Sequence, residues 1–236
     1  MKLLSSFLVL LVLFGFNSAE KLYFTNPTDQ DIETLIANMS IEEKVGQTCQ
    51  ITLDAIHKAD EKGQALIPEQ VDPNKLKEAI EVYHVGSILN VGWHTLSMDE
   101  WTSIMSSVHL PYMKKETNIP ILYGIDAIHG VNYTVGGTLF PQEIGLAATW
   151  NPALAERMGQ VTAYECRASG IPWNFSPVLD LGRQPLWSRH FETLGEDPVL
   201  GTQMGAALVR GYQGTGKEVD NYHVAACLKH FVGYSA

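Results

Sequence analysis

Three polar segments stand in one order along the chain, each directly after an apolar run: Tyr123–Gly130 (Tyr-Gly-Ile-Asp-Ala-Ile-His-Gly), Gly182–Glu192 and Cys227–Tyr234. A β/α barrel assembles its site from polar groups at the carboxyl ends of successive strands, so this recurrence points to an α/β enzyme. Helix and strand signals alternate throughout, which implies a parallel sheet. A doubly wound sheet would announce itself with a glycine-rich turn after its first strand, and the strand expected at 48–53 has none. Only about five βα units precede Ala236, whereas a closed barrel needs eight. The expected fold is therefore an incomplete (β/α)8 TIM-type barrel comprising about the first five units.

Of the 236 residues, 45% are hydrophobic and 18% charged, enough to bury a sizeable core. The net charge of −10 excludes nucleic acid as a natural partner, because phosphate backbones are held by basic faces. Lys2 followed by the mostly apolar run 3–16 and the small pair Ser18-Ala19 reads as a cleaved signal peptide over 1–19. The run is shorter than the ~20 apolar residues of a membrane span, so no stable anchor is expected after cleavage. Residues 20–236 are then one exported partial barrel domain, bound for the extracellular space, a periplasm or a lysosome-like compartment. Export makes Asn38-Met-Ser40 and Asn132-Tyr-Thr134 candidate glycan acceptors, although Ser40 has a better role as a helix cap. Cys49, Cys166 and Cys227 lack zinc-ligand spacing and read as buried free thiols.

Local signals place the segments. Ser40-Ile-Glu-Glu43 is a capping box within a helical region running from Asp31 to about Gly46. Strands are expected at 48–53, 86–91, 119–125, 171–179 and 224–228, and helices at 75–82 and 97–115. Asn151-Pro152 and Asp197-Pro198 each combine an N-cap with a proline suited to the first turn. The first of these helices is expected to bury Leu154, Met158, Val161 and Ala168, and the second Leu200, Met204 and Leu208. Gly211–Lys217 fits seven positions of a phosphate-binding loop, but Glu218 replaces the metal-binding hydroxyl and the glycines follow a helix, so it reads as a helix stop and turn.

These residues together resemble the amino-terminal domain of glycoside hydrolase family 3, in its β-glucosidase and exo-glucanase branch. The matches, in order, are Asp126 in Gly-Ile-Asp-Ala-Ile-His-Gly, the run Phe140–Thr149, Arg167-Ala-Ser-Gly170, Trp187-Ser-Arg189, Gly195-Glu-Asp-Pro198 and Lys229-His-Phe231. The resemblance implies hydrolysis of a terminal, non-reducing β-D-glucosyl residue with retention, using one carboxylate as nucleophile and another as acid/base. It assigns substrate binding to Asp126, Arg189, Lys229 and His230. Asp126 is suited to accept hydrogen bonds from two hydroxyls, and Arg189, Lys229 and His230 to donate to ring hydroxyls. The family's Asp nucleophile, commonly beside a Trp, and its Glu acid/base have no counterpart before Ala236.

The chain is accordingly expected to carry the sugar-binding half of a site, to be inactive alone, and to need no cofactor or metal. Its partner would be a β-glucoside or β-linked oligosaccharide. Val232-Gly-Tyr234 after Lys-His-Phe departs from the N-acetylglucosaminidase branch, leaving β-glucosidase or β-xylosidase activity, with a short non-catalytic sugar-binding protein as the alternative. Glu192, Glu196 and Asp197 are explained by capping and ion pairing rather than catalysis. Trp93, Trp173 and Trp187 are candidates for stacking on sugar, Trp173 more readily for core packing.

Overall fold

The structure is a computed structural model and describes residues 28–92, 94–109 and 119–235. The expected signal segment, Trp93 and the end of the helix expected at 97–115 lie outside the described residues. Two compact units, 1–39 and 40–236, divide the chain. In the first, α1 (Asp29–Asn38) starts from a reciprocal capping box between Thr28 and Asp31. In the second, α2 (Ile41–Gln47) starts from the box between Ser40 and Glu43, so the single helical region expected here is two separately capped helices.

Five strands follow: β1 (Gln50–Thr52), β2 (Ser87–Leu89), β3 (Leu122–Ile125), β4 (Trp173–Asn174) and β5 (Ala225–Ala226). All pair in parallel, in the order β1-β2-β3-β4-β5. A doubly wound sheet reverses its strand order at a switch point, whereas a barrel adds each strand beside the last. The sequential order is that of a barrel. The ladders are shorter than the expected strands because backbone pairing continues beyond them only as isolated bridges, such as Val178 with Lys229.

Between the strands run α3 (Pro73–Glu81), α4 (Met98–His109), α5 (Glu143–Ala147), α6 (Pro152–Ala168) and α7 (Pro198–Gln213). Asp72, Asn151 and Asp197 cap α3, α6 and α7, each followed by proline at the first helical position. The helix expected from Lys75 thus starts at Pro73, because Asp72 Oδ1 accepts from the amide of Asn74 at 2.8 Å. Ile88, Tyr123 and Ile125 are fully buried beneath these helices, with the Trp101 ring edge-on to Tyr123 at 5.7 Å.

On α6 the buried face is Ala155, Met158, Gly159, Thr162, Ala163 and Cys166, which corrects the expected stripe: Leu154 and Ala168 are exposed and Val161 only partly covered. The reason lies at the crossing with α7. A Cβ on Gly211 would stand 2.3 Å from the carbonyl oxygen of Glu156 and 2.8 Å from the Cα of Gly159, so the two backbones touch. Small residues rather than large apolar ones define this contact. Gly211→Ala is therefore expected to destabilise the fold by about 1–3 kcal/mol, read as a lower urea midpoint; an unchanged midpoint would contradict the close crossing. Gly214, at φ 74°, ends α7, so the glycine-rich stretch is the helix stop and turn that its sequence suggested.

The thiols are free, but Cys49 is exposed, Cys227 partly covered and only Cys166 buried; Cys49 corrects the expectation, since it stands where α2 hands over to β1. A mostly apolar hollow of about 790 Å³ lies between α2, β1 and α3, away from the strand ends that carry the polar segments. Among the described residues no helix is long and apolar enough to cross a membrane.

Candidate sugar-binding site

Every polar residue singled out from the three segments lies at or beyond the carboxyl end of a strand. Asp126 follows β3 directly, Lys229 and His230 follow β5, and Arg189 lies on the long loop after β4, just before a 3-10 turn at His190–Glu192. The carboxylate of Asp126 pairs with the ammonium of Lys229, whose side chain is only 10% exposed. Lysine is rarely buried without a partner, so each of these charges makes the other tolerable.

Asp126 is held from a second side by a residue overlooked in the sequence. Asn90, just past β2 in the left-handed region at φ 52°, donates from Nδ2 to Asp126 Oδ2 and accepts from the Asp126 amide, each at 2.8 Å. The Tyr123 hydroxyl in turn donates to the Asn90 carbonyl at 2.6 Å. Asn90→Gly keeps the backbone conformation easy and removes both side-chain bonds. The bond to the charged carboxylate contributes about 1.5–3 kcal/mol and the neutral one about 0.5–1.5 kcal/mol, so sugar affinity is expected to fall about tenfold in a calorimetric titration. Full affinity in this variant would remove Asn90 from the site.

Arg189 forms a two-pronged pair with Glu192, its Nε donating to Oε1 at 2.7 Å, and this bonding raises the already high guanidinium pKa. Its Nη1 also lies 3.0 Å from His230 Nε2. Asp180, the second overlooked residue, takes His230 Nδ1 at 2.7 Å and the His230 amide at 3.0 Å. With Nδ1 as donor to Asp180, Nε2 accepts from Arg189, so the ring is oriented and both its nitrogens are engaged. His230 thus joins Asp180 to Arg189 across the site.

The four expected residues thus form two linked pairs between two hollows. One, about 230 Å³, is lined by Asp126, His129, Asn132, Tyr133, Arg189 and Glu192 among others. The other, about 510 Å³, includes Asp180, Arg183, Lys229 and His230. Glu192 belongs to the Arg189 pair and Asp197 caps α7, accepting from the Val199 amide at 2.7 Å. Trp187 packs edge-on against Tyr234 at 5.3 Å, and Trp173 against Phe175 at 4.7 Å. Asn132 lines the smaller hollow, and the Thr134 hydroxyl of its triplet is buried 3.0 Å from Ser169 Oγ; Asn38 is exposed, with Ser40 as a cap.

Beneath the site, Glu143 is wholly buried at the start of α5. It accepts from Ser176 Oγ at 2.9 Å and the Val178 amide at 3.1 Å, and the Tyr212 hydroxyl lies 2.9 Å from Ser176. Burial pushes its carboxyl up to about 8 despite these bonds. Val178 pairs with Lys229, so Glu143 braces the segment that carries the amine. A second buried carboxyl, Glu69, lies 3.5 Å from His57 and 3.7 Å from His94, and desolvation raises its pKa.

Comparison with known proteins bears on the family and the fold. The family model described as "Glycosyl hydrolase family 3 N terminal domain" matches residues 40–236. A lysosomal beta glucosidase of Dictyostelium discoideum is 37% identical over 92% of this chain and 27% of its own length. A periplasmic beta-glucosidase of Salmonella typhimurium is 29% identical over 92% of this chain and 26% of its own. Among solved structures, an exo-1,3/1,4-beta-glucanase from a Pseudoalteromonas species superposes with TM-score 0.72 at 31% identity, covering 87% of this chain and 25% of that one. A beta-glucosidase from Listeria innocua in complex with glucose superposes at 0.67 and 28% identity, covering 89% and 28%. The chain therefore spans little more than a quarter of the length of these relatives. With its sequential parallel strands and a family match from Ser40 to its last residue, the chain belongs to glycoside hydrolase family 3, within the TIM-barrel-like amino-terminal domain.

Proposed function

We propose that this chain supplies the sugar-binding half of a retaining, exo-acting β-glucosidase, and that the nucleophile and acid/base come from polypeptide outside residues 40–236. The observation that carries this reading is the meeting of Asp126 with Lys229 and of Arg189 with His230, from three separate strand ends around one pair of hollows. A carboxylate with two acceptor oxygens, beside an ammonium and an oriented guanidinium, matches the vicinal hydroxyls of a pyranose. Groups that grip those hydroxyls more tightly as the ring flattens lower the barrier without touching the scissile bond. Bond cleavage then needs two carboxyl groups about 5–5.5 Å apart, one to form a glycosyl ester and one to protonate the leaving oxygen and later activate water.

Export follows from the reading of residues 1–19 as a signal peptide, and it agrees with relatives named lysosomal and periplasmic. Relatives named beta-xylosidase, such as one from Formosa agariphila at 42% identity over 49% of this chain, keep the pentoside reading in view. The purified chain is expected to bind methyl β-glucoside saturably in calorimetry while releasing no phenol from an aryl β-glucoside. Turnover by the chain alone would overturn the division of labour, and absence of binding would overturn the sugar site.

A further inference from the structure

Two connections that leave the carboxyl ends of β1 and β2 meet at the buried carboxyl of Glu69. His57 and Glu69 belong to the loop between β1 and α3, and His94 to the segment between β2 and α4. His57 Nδ1 stands 3.5 Å from Glu69 Oε1 and His94 Nε2 3.7 Å from Oε2, while the Glu69 side chain is 1% exposed. Neither carboxylate oxygen and neither facing nitrogen has a hydrogen-bond partner among the described residues. Buried polar atoms are ordinarily paired, so four such atoms facing one another just beyond bonding distance mark a contact that can close. It is not an ion cage, since among the described residues no three His, Cys, Asp or Glu side chains are placed to hold a metal.

The surrounding charges favour closure in acid. Asp54 Oδ1 stands 3.7 Å from His57 Nδ1, and Glu100 of α4 accepts from the Glu69 amide at 3.0 Å. Tyr123 of β3 is close enough that the charges of Glu69 and Asp54 add to burial in pushing its phenol up. The Lys75 ammonium is turned to the His57 carbonyl at 2.9 Å, and Lys58 donates to Gln70 at 3.1 Å. Three carboxyl groups thus stand around two imidazoles, and desolvation, opposed by the two histidines, raises the Glu69 pKa. Imidazole is the side-chain group that ordinarily charges between about pH 8 and pH 5. Once charged it carries an N–H on both nitrogens, and its bond to a carboxylate is about twice as strong as a neutral one.

We propose that His57, Glu69 and His94 form an acid-engaged clasp in which Glu69 is a positioning residue for the sugar site, drawing the loop after β1 onto the segment after β2 and so steadying Asn90 against Asp126. The inference rests on the sugar-binding reading of Asp126. Glu69 touches no sugar and acts through the segment that holds His94. On one side of His94, Asn90 is bonded through its amide to the Gly124 carbonyl at 2.9 Å and through its side chain to Asp126 by two bonds of 2.8 Å. On the other side, the buried Leu96 donates from its amide to the Tyr133 carbonyl at 2.9 Å. A clasp at His94 therefore limits how far Asn90 can drift from the carboxylate it orients.

The test measures binding of methyl β-D-glucopyranoside by calorimetry at about pH 5 and about pH 7.5, on either side of imidazole titration, in the unaltered chain, Glu69→Gln and His94→Gln. Dividing the affinity ratio across the two pH values in the unaltered chain by that in a variant cancels Asp126 and Glu143, which all three proteins share. The quotient should be about fivefold or more in favour of acid for each variant, the lower end of ordinary coupling between sites. His94 is 28% exposed, so its variant decides the matter alone should Glu69→Gln fail to fold. A quotient near one would overturn the proposal, whether affinities stay level or fall together as a merely structural role would have them. In urea, the stability gap between the unaltered chain and Glu69→Gln should move toward the unaltered chain on acidification. A carboxyl raised in the folded state contributes fully below its ordinary 4.5, and that contribution is lost as the pH rises through the folded value. A gap of equal size at both pH values would likewise overturn the clasp. Absence of saturable binding by the unaltered chain at either pH would instead sink the sugar-binding reading, and the positioning role with it.

Discussion

Asp126→Asn is expected to lower affinity for methyl β-glucoside at least a hundredfold and to destabilise the fold at the same time. Two hydrogen bonds from sugar hydroxyls to a carboxylate contribute about 1.5–3 kcal/mol each, and a neutral amide oxygen recovers only part of that. The stability loss has a separate origin. Lys229 is 10% exposed and its ammonium is paired with Asp126, so the substitution leaves a desolvated cation without its counter-charge. Breaking one side of a buried pair costs about 3–5 kcal/mol, measurable in urea unfolding. Lys229→Met removes the other charge and should recover part of the stability of Asp126→Asn while binding stays lost. A double variant no more stable than the single one would show that the pair is not what makes Asp126 matter to the fold.

The second large effect concerns pH. Burial pushes the Glu143 carboxyl up from an ordinary 4.5 to about 8, so the folded state holds its proton more tightly than the unfolded state does. A carboxyl with a raised folded pKa contributes fully below about pH 4.5, and that contribution is lost as the pH climbs through the folded value. Stability attributable to this group should therefore decline between about pH 4.5 and pH 8 and stay low above. Glu143→Gln cannot ionise and should abolish that decline. Relative to the parent it should gain on the order of 5 kcal/mol at pH 9 and little at pH 4. Parallel stability curves for the two proteins would contradict the assignment. The consequence reaches the site through Val178, which Glu143 holds and which pairs with the backbone of Lys229.

Much of this site is legible in the amino-acid order because its charged members interrupt apolar runs. Asp126 after Leu-Tyr-Gly-Ile and Lys229-His230 after Val-Ala-Ala-Cys-Leu have no ordinary place inside a strand, so a strand end is their natural location. Asn90 and Asp180 carry no such signal, because each is a single polar residue after an apolar stretch, Ser-Ile-Leu and Pro-Val-Leu. Asn90 falls inside the strand expected at 86–91 and Asp180 directly follows the one expected at 171–179, so no common position in the sequence marks them. What pairs with what is not written locally: Lys229 and Asp126 are 103 positions apart, and only the sheet order brings them together.

The errors elsewhere share a physical cause. Leu154 was placed in the core by its hydrophobicity, yet α6 approaches α7 through Gly159 and Gly211, and a backbone contact selects small side chains over large ones. Strand lengths were overestimated because apolar runs such as Ile171–Leu179 continue into the core after ladder pairing has stopped. Hydrophobicity reports burial, and burial is not confined to ladders.

The central claim, that Asp126, Lys229 and Arg189 hold a terminal pyranose, is tested most directly by a crystal structure of the protein soaked with D-glucose. Density is expected for one sugar ring in the hollow lined by Asp126 and Arg189, with hydroxyls within hydrogen-bond reach of the Asp126 carboxylate and the Lys229 ammonium. A ring bound elsewhere, or an empty hollow at saturating glucose, would contradict it.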